Sequence, residues 1–215
     1  VTNYERMSAF DGREDDLSHI ISGRYPEAVS SGEVGCVSSH LKSIKHWYET
    51  TDAEYGIFME DDCDFCSVKH WPFSWREFMA RIPYDWDCLQ IAIINPRRLI
   101  ANIHPRYVDD FSTACFVVNR RYAEKLMHFH CRGDKFKLDN GVRPRAVADD
   151  LIYNAGRTYA IPLFLYKLEL GSTIHPEHID AFHKTSREGL DHWWTNQSAD
   201  MPLDKFFEYD THELY

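Results

Sequence analysis

Apolar positions along the chain alternate between two periods, and the alternation predicts strands followed by helices. Residues 34–49 place Val37, Leu41, Ile44, Trp47 and Tyr48 at helical spacing. Tyr55, Ile57, Phe58 and Met59 then make a short strand over 54–59 that runs directly into acids. A helix is expected over 73–82, between Pro72 and Pro83. The continuous apolar run CLQIAII at 88–94 reads as a strand covered on both faces. Residues 96–110 read as a loop, first basic and then acidic. TACFVV at 113–118 is a second buried strand, followed at once by the amphipathic helix NRRYAEKLMHFH. A Lys/Arg-rich loop over 131–146 leads to a short helix at 147–155 that ends at Gly156. The last strand, 158–168, is expected to be interrupted by Pro162, and the final 45 or so residues show no clear period. Strands alternating with helices predict an α/β layered fold with a mostly parallel sheet, in which ligands bind beyond the carboxyl ends of the strands.

Composition narrows the function classes. The 215 residues suffice for a single domain that buries roughly 70% of its unfolded surface. The chain is 44% hydrophobic and 14% aromatic, so it folds rather than staying disordered. A formal charge of −10 argues against nucleic acid as the partner, since binders of the phosphate backbone gather positive charge. It leaves room for a nucleotide-sized ligand, because a divalent cation can supply the missing charge. The opening VTNYERMSAF carries no apolar leader, and no run of 18 apolar residues occurs, so no membrane span is expected. Of the six cysteines, Cys36, Cys88, Cys115 and Cys131 lie in apolar runs where free thiols act as small hydrophobes, which favours a reduced, cytoplasmic setting.

The strand at 54–59 ends in Glu60-Asp61-Asp62-Cys63-Asp64, four carboxylates in five positions. Repulsion and desolvation both oppose ionising such a set next to a core. A hard cation with oxygen ligands, Mn²⁺ or Mg²⁺, relieves both. In an extended segment the pairs Glu60/Asp62 and Asp62/Asp64 point the same way, so each pair is able to share one ion. The plain alternative is a solvated acidic turn. Cys63-x-x-Cys66 resembles half a zinc site, but no second CxxC is present. A phosphohydrolase would also set acids after a strand, yet Asp62-Cys63-Asp64-Phe65-Cys66 breaks its D-x-D-x-T/V pattern.

GEVGCVSSHL at 32–41 resembles the GE-[IV]-GC-x-x-SHL signature of glycosyltransferase family 25, the lipooligosaccharide and collagen-type hexosyltransferases. Three weaker segments follow that family's order: RMSAFDG at 6–12, FMEDD at 58–62 and TACFVVNR at 113–120, with Ala123 and Leu126 continuing the last. Compact viral glycosyltransferases of large DNA viruses carry similar motifs. The match spans roughly residues 4–130. It implies a GT-A fold, a UDP-sugar donor, Mn²⁺ and an oligosaccharide or glycoprotein acceptor. It implies that Asp62, with Glu60 and Asp64, binds the metal. It also implies that Ala9, Phe10 and Asp11, at the end of an early strand, lie near the uracil, with Ser39, Glu60, Asp61 and Thr113 completing the donor site. On this reading a donor-binding part covers about 1–118 and an acceptor-side part about 119–215. The INL-x-R-x-x-R strand-helix unit that opens family members does not precede Val1. Either the chain is a fragment, or the base pocket is built differently. An inactive carbohydrate- or nucleotide-binding module of the same fold is the alternative from another class.

Asp149 and Asp150 open the helix at 147–155. One of them is able to deprotonate the acceptor hydroxyl if the reaction inverts, while helix capping is the structural alternative. His175 is a candidate metal ligand among twelve histidines. Lys135, Lys137, Arg143 and Arg145 are candidates for a diphosphate or an anionic acceptor, against a solvated loop. Trp193 and Trp194 are the aromatic candidates for an acceptor surface; His40 reads as a brace for the acidic loop.

Overall fold

The computed structural model describes residues 4–14, 16–138, 146–168 and 178–209. His175, Arg143 and Arg145 lie outside them. In chain order the elements are α1 (Ser31–Thr50), β1 (Tyr55–Met59), β2 (Cys63–Asp64), α2 (Trp75–Arg81), β3 (Cys88–Ala92), β4 (His104–Pro105) and β5 (Cys115–Asn119). They continue with α3 (Arg120–His130), β6 (Cys131–Arg132), β7 (Lys135–Phe136), α4 (Ala148–Tyr153), β8 (Thr158–Tyr166) and α5 (Lys184–Asn196). The mixed α/β composition expected from the periodicity is present. The chain forms two compact units interleaved in sequence, Val1–Phe58 with Asn119–Ala155, and Met59–Val118 with Gly156–Tyr215.

The first unit is built on α1. Ser30 accepts from the backbone N–H of Glu33, and Glu33 returns a carboxylate oxygen to the Ser30 N–H at 2.7 Å, a complete capping box. The helix buries Val34, Val37, Leu41 and Ile44, which contribute roughly 1.5–3 kcal/mol each. It packs against α3 and α4. Arg120 donates to the Tyr48 and Thr51 carbonyls at the end of α1, satisfying groups the helix leaves open. Tyr122 of α3 donates its hydroxyl to the Ile152 carbonyl of α4 at 2.6 Å. Ser30→Ala removes half of the capping box and is expected to lower unfolding stability by about 1 kcal/mol, read as a shift in urea midpoint.

The second unit holds most of the sheet. β3 and β8 run parallel, with Leu89 opposite Tyr159. β5 joins the free edge of β3 antiparallel, while β2 and β4 pair antiparallel with the far edge of β8. The sheet of this unit is therefore mixed and largely antiparallel, not mostly parallel. The expectation failed because the crossovers were inferred from strand–helix alternation, which does not record strand direction. Pro162 does not interrupt β8. Pairing shifts between Gln90 and Ala92 of β3, opposite Ala160 and Phe164, so the residue without an N–H sits in a bulge. Side chains take over there: Trp194 donates to the Pro162 carbonyl, and Ser67 and Trp71 donate to that of Leu163.

The aperiodic C-terminal stretch contains α5. Only Ser186, Leu190 and Trp194 are buried on it, a stripe too thin to read from the sequence. Trp194 is 1% exposed and forms core with Phe206, so it offers no acceptor surface. Trp193 is half-buried against both. No helix among the described residues is long and apolar enough to cross a membrane.

Candidate functional site

Beyond Met59 the chain turns. The Cys63 N–H donates to the Glu60 carbonyl at 3.2 Å, closing Glu60-Asp61-Asp62-Cys63 into a turn rather than the extended segment expected. Residues two apart therefore do not share a face in this run. Both ends of the turn are anchored within the second unit. Glu60 N–H donates to the Ala114 carbonyl at 2.8 Å, and Asp62 accepts from the Lys167 N–H at 2.8 Å. The second bond places the turn at the carboxyl end of β8, where ligands of α/β sheets collect.

The three carboxylates differ in environment. Asp61 is exposed, and Glu60 accepts from the Thr113 hydroxyl at 2.8 Å. Asp62 is mostly buried, and its Oδ1 is enclosed without a hydrogen-bond partner. Burial, then the charges of Glu60 and Asp61, push its carboxyl up to about 6. A carboxylate in that state is stabilised by a cation placed at its unpartnered oxygen.

Asp64 does not belong to this set. Its Oδ1 accepts from the Cys66 N–H at 2.9 Å, and its Oδ2 pairs with Arg187 at 3.0 Å. Burial raises its carboxyl, but these two donors outweigh it and hold the group below the usual carboxylate range. Each oxygen has a donor, and through Arg187 the expected metal ligand Asp64 links β2 to α5. Arg187 also donates to the Tyr166 carbonyl and pairs with Asp191.

Thr113, expected at the donor, donates its hydroxyl to Glu60. It follows Ser112, whose φ of 98° is unusual for a residue with a side chain. Such strain persists only where surroundings over-determine the backbone. Here Gln90, fully buried on β3, donates its amide to the Asp110, Phe111 and Ser112 carbonyls at 3.1, 2.8 and 3.0 Å. Its Oε1 accepts from Arg106. The signal for this bracket was visible as the lone polar residue in CLQIAII, but its partners were not.

The remaining candidates lie in the first unit. No strand contains Ala9, Phe10 or Asp11, so the early strand is absent. The Phe10 N–H donates to Ser39 Oγ at 2.9 Å, and Ser39 donates to the Gly35 carbonyl. Ser39 thus ties segment 8–12 to α1. A Cβ on Gly35 would lie 2.7 Å from the Phe10 carbonyl oxygen, and one on Gly12 1.8 Å from that of Ser31, so both glycines permit this close approach. Asp11 forms an exposed pair with Arg13, which holds its carboxyl down to about 2. Asp149 and Asp150 occupy the first turn of α4, where acids favour the helix dipole. Asp150 also accepts from the Asn154 amide at 3.0 Å. His40 is buried on α1. Lys135 and Lys137 are exposed.

A second feature of the second unit had no sequence signal. A cleft of about 250 Å³ lies between the loop leaving β3 and α5, lined by Asn95, Arg97, Arg98, Asp110, Pro162 and Gly189 among others. Its floor is a buried polar network. Asp110 accepts from the Asn95 amide at 3.0 Å and the Tyr107 N–H at 2.9 Å, and lies 3.3 Å from His104 Nε2. No family model matches the chain, and no curated protein matches it.

Proposed function

We propose that the chain transfers a hexose or deoxyhexose from a UDP-sugar to a hydroxyl of an oligosaccharide or glycoprotein acceptor, with Mn²⁺ or Mg²⁺ at the acidic turn. The observation that carries the metal is the enclosed Asp62 Oδ1, which has no hydrogen-bond partner and sits beside the charges of Glu60 and Asp61. The ligands assigned in this reading, Asp62 and Glu60, are carboxylates, which suit a hard cation. The GEVGCVSSHL signature supports the donor, because the family it resembles uses nucleotide sugars.

In this reading Asp62 is the principal ligand, and Glu60 the second, held in place by Thr113. When bound, the cation neutralises charge on the donor diphosphate as the sugar departs. Asp61, exposed at the tip of the turn, faces solvent and is available to a ribose hydroxyl. Asp149 or Asp150 takes the proton of the acceptor hydroxyl if configuration is inverted.

The test is manganese binding and donor turnover on the whole chain. Electron paramagnetic resonance should report one Mn²⁺ per chain, displaced by EDTA. A panel of UDP-sugars should show release of sugar from at least one, lost in EDTA. Turnover that persists in EDTA sinks the metal dependence. UDP binding without turnover on any donor and acceptor supports the inactive module instead.

A further inference from the structure

We propose that the cleft between the loop leaving β3 and α5 is a binding site for a hexose-sized molecule carrying one anionic group. The proposal does not rest on the transferase reading, since no residue of the acidic turn lines the cleft.

Three independent features point there. The first is Gly189, in the middle of α5. A glycine costs a helix stability relative to alanine, so a mid-helix glycine needs a reason. Close packing is not that reason, because a Cβ at Gly189 would meet nothing within 4 Å. Gly189 lines the cleft with Leu190 and with Ser186, its neighbour one turn earlier, and the missing side chain keeps the cleft open.

The second is charge. Arg97 and Arg98 stand at the rim of a chain whose formal charge is −10. Arg98 is fixed by Asp109 at 2.5 Å and stacks on Tyr107 at 4.0 Å. Arg97 is exposed, and its guanidinium has no ion-pair partner among the described residues. Its backbone is nonetheless fixed, because Asn95 Oδ1 accepts from the N–H groups of both arginines at 3.1 and 3.2 Å. A held backbone with an open guanidinium suits a carboxylate or phosphate.

The third is the lining. The one acid in the floor, Asp110, is answered by Asn95, Tyr107 and His104, so its charge is not open to repel an anion. Burial raises its carboxyl, yet these partners prevail and hold it below the usual range. Thr185 offers a hydroxyl, and Ile93, Pro162 and Leu190 give an apolar wall for a ring face. At 250 Å³ the cleft lies below the roughly 300 Å³ where drug-sized pockets begin, so it takes one ring and not an extended chain.

The experiment is an amide-resolved NMR titration of the full chain in EDTA with glucuronate, glucose 6-phosphate and glucose. Saturable shifts at Arg97, Arg98 and Gly189 are expected with at least one anion, and at least fivefold weaker binding with glucose. The tighter of the two anions identifies the charged group. Arg97→Ala should weaken the anion about tenfold, as loss of one charge-assisted contact does. Gly189→Leu fills the cleft and should abolish binding, whereas Gly189→Ala should raise Tm and weaken binding to a lesser degree. Absence of saturable shifts with both anions overturns the proposal. So do shifts that survive Gly189→Leu unchanged in a folded protein. Equal affinity for glucose overturns the anionic class.

Discussion

Asp62→Asn should lower Mn²⁺ affinity and sugar transfer at least a hundredfold while making the metal-free protein more stable at pH 7.5. The amide is nearly isosteric but carries no charge, so the ligand strength is lost and the repulsion with Glu60 and Asp61 goes too. The folded-state carboxyl sits at about 6, above its ordinary 3.8. The native protein therefore holds the proton more tightly than the unfolded chain, and wild-type stability falls as pH rises from about 4 to 6. Asn has no such loss. The variant should exceed wild type above pH 6, with the gap closing toward pH 4. Two pK units correspond to about 2.7 kcal/mol, and the partial exposure of Asp62 reduces that to about 1–2 kcal/mol. Saturating Mn²⁺ should reverse the order, because only wild type gains from the ligand. Thermal unfolding at pH 4.5 and 7.5, with and without Mn²⁺, gives all four values. A variant that keeps its metal affinity, or is less stable at pH 7.5 in EDTA, removes Asp62 from the centre of the site.

Gln90→Leu should cost roughly 3 kcal/mol, the largest stability effect expected of a single polar side chain here. The substitution places an apolar side chain of similar size in β3. It removes the donor from the Asp110, Phe111 and Ser112 carbonyls and the acceptor from Arg106. The Gln90 side chain is fully buried and its bond to the Asp110 carbonyl lies in the interior, where water does not replace it. The effect should spread to the acidic turn, since Ser112 leads into Thr113 and Ala114, both bonded to Glu60. Urea unfolding measures the first effect, and Mn²⁺ affinity the second. Thr113→Val separates them. It deletes only the hydroxyl that orients Glu60 and should weaken metal binding severalfold with little change in stability. If Gln90→Leu unfolds at the wild-type urea concentration, the bracket carries no weight.

The longer strands β1, β3, β5 and β8 and most helices were legible because their signals are local, whereas the two-residue strands β2, β4, β6 and β7 fall in segments read as loops or as the acidic cluster. CLQIAII is apolar at nearly every position, and β3 is buried at every position. The helical spacing at 34–49 lies within α1, whose start the structure sets at Ser31 with a capping box of Ser30 and Glu33. Strand direction was not legible. β5 runs antiparallel to β3 because of where the chain returns, which no residue in TACFVV records. α5 escaped notice because one of its three buried positions is a serine. Glycine readings divided in the same way: Gly35 sits inside a motif, whereas Gly189 gains meaning only when the space above it is known to be open.

The sequence by itself determined that four acids follow an apolar strand and that a ten-residue motif resembles one family of sugar transferases. Only the tertiary structure decided how those acids divide. Arg187, more than a hundred residues away in the chain, takes Asp64 out of the set. Thr113 binds Glu60, and burial leaves one oxygen of Asp62 with no partner. The physical reason is that a carboxylate's charge state depends on desolvation and on donors brought by distant segments. Neighbours in sequence supply the repulsion; the fold supplies the burial and the counter-charges that decide which carboxylate is left open.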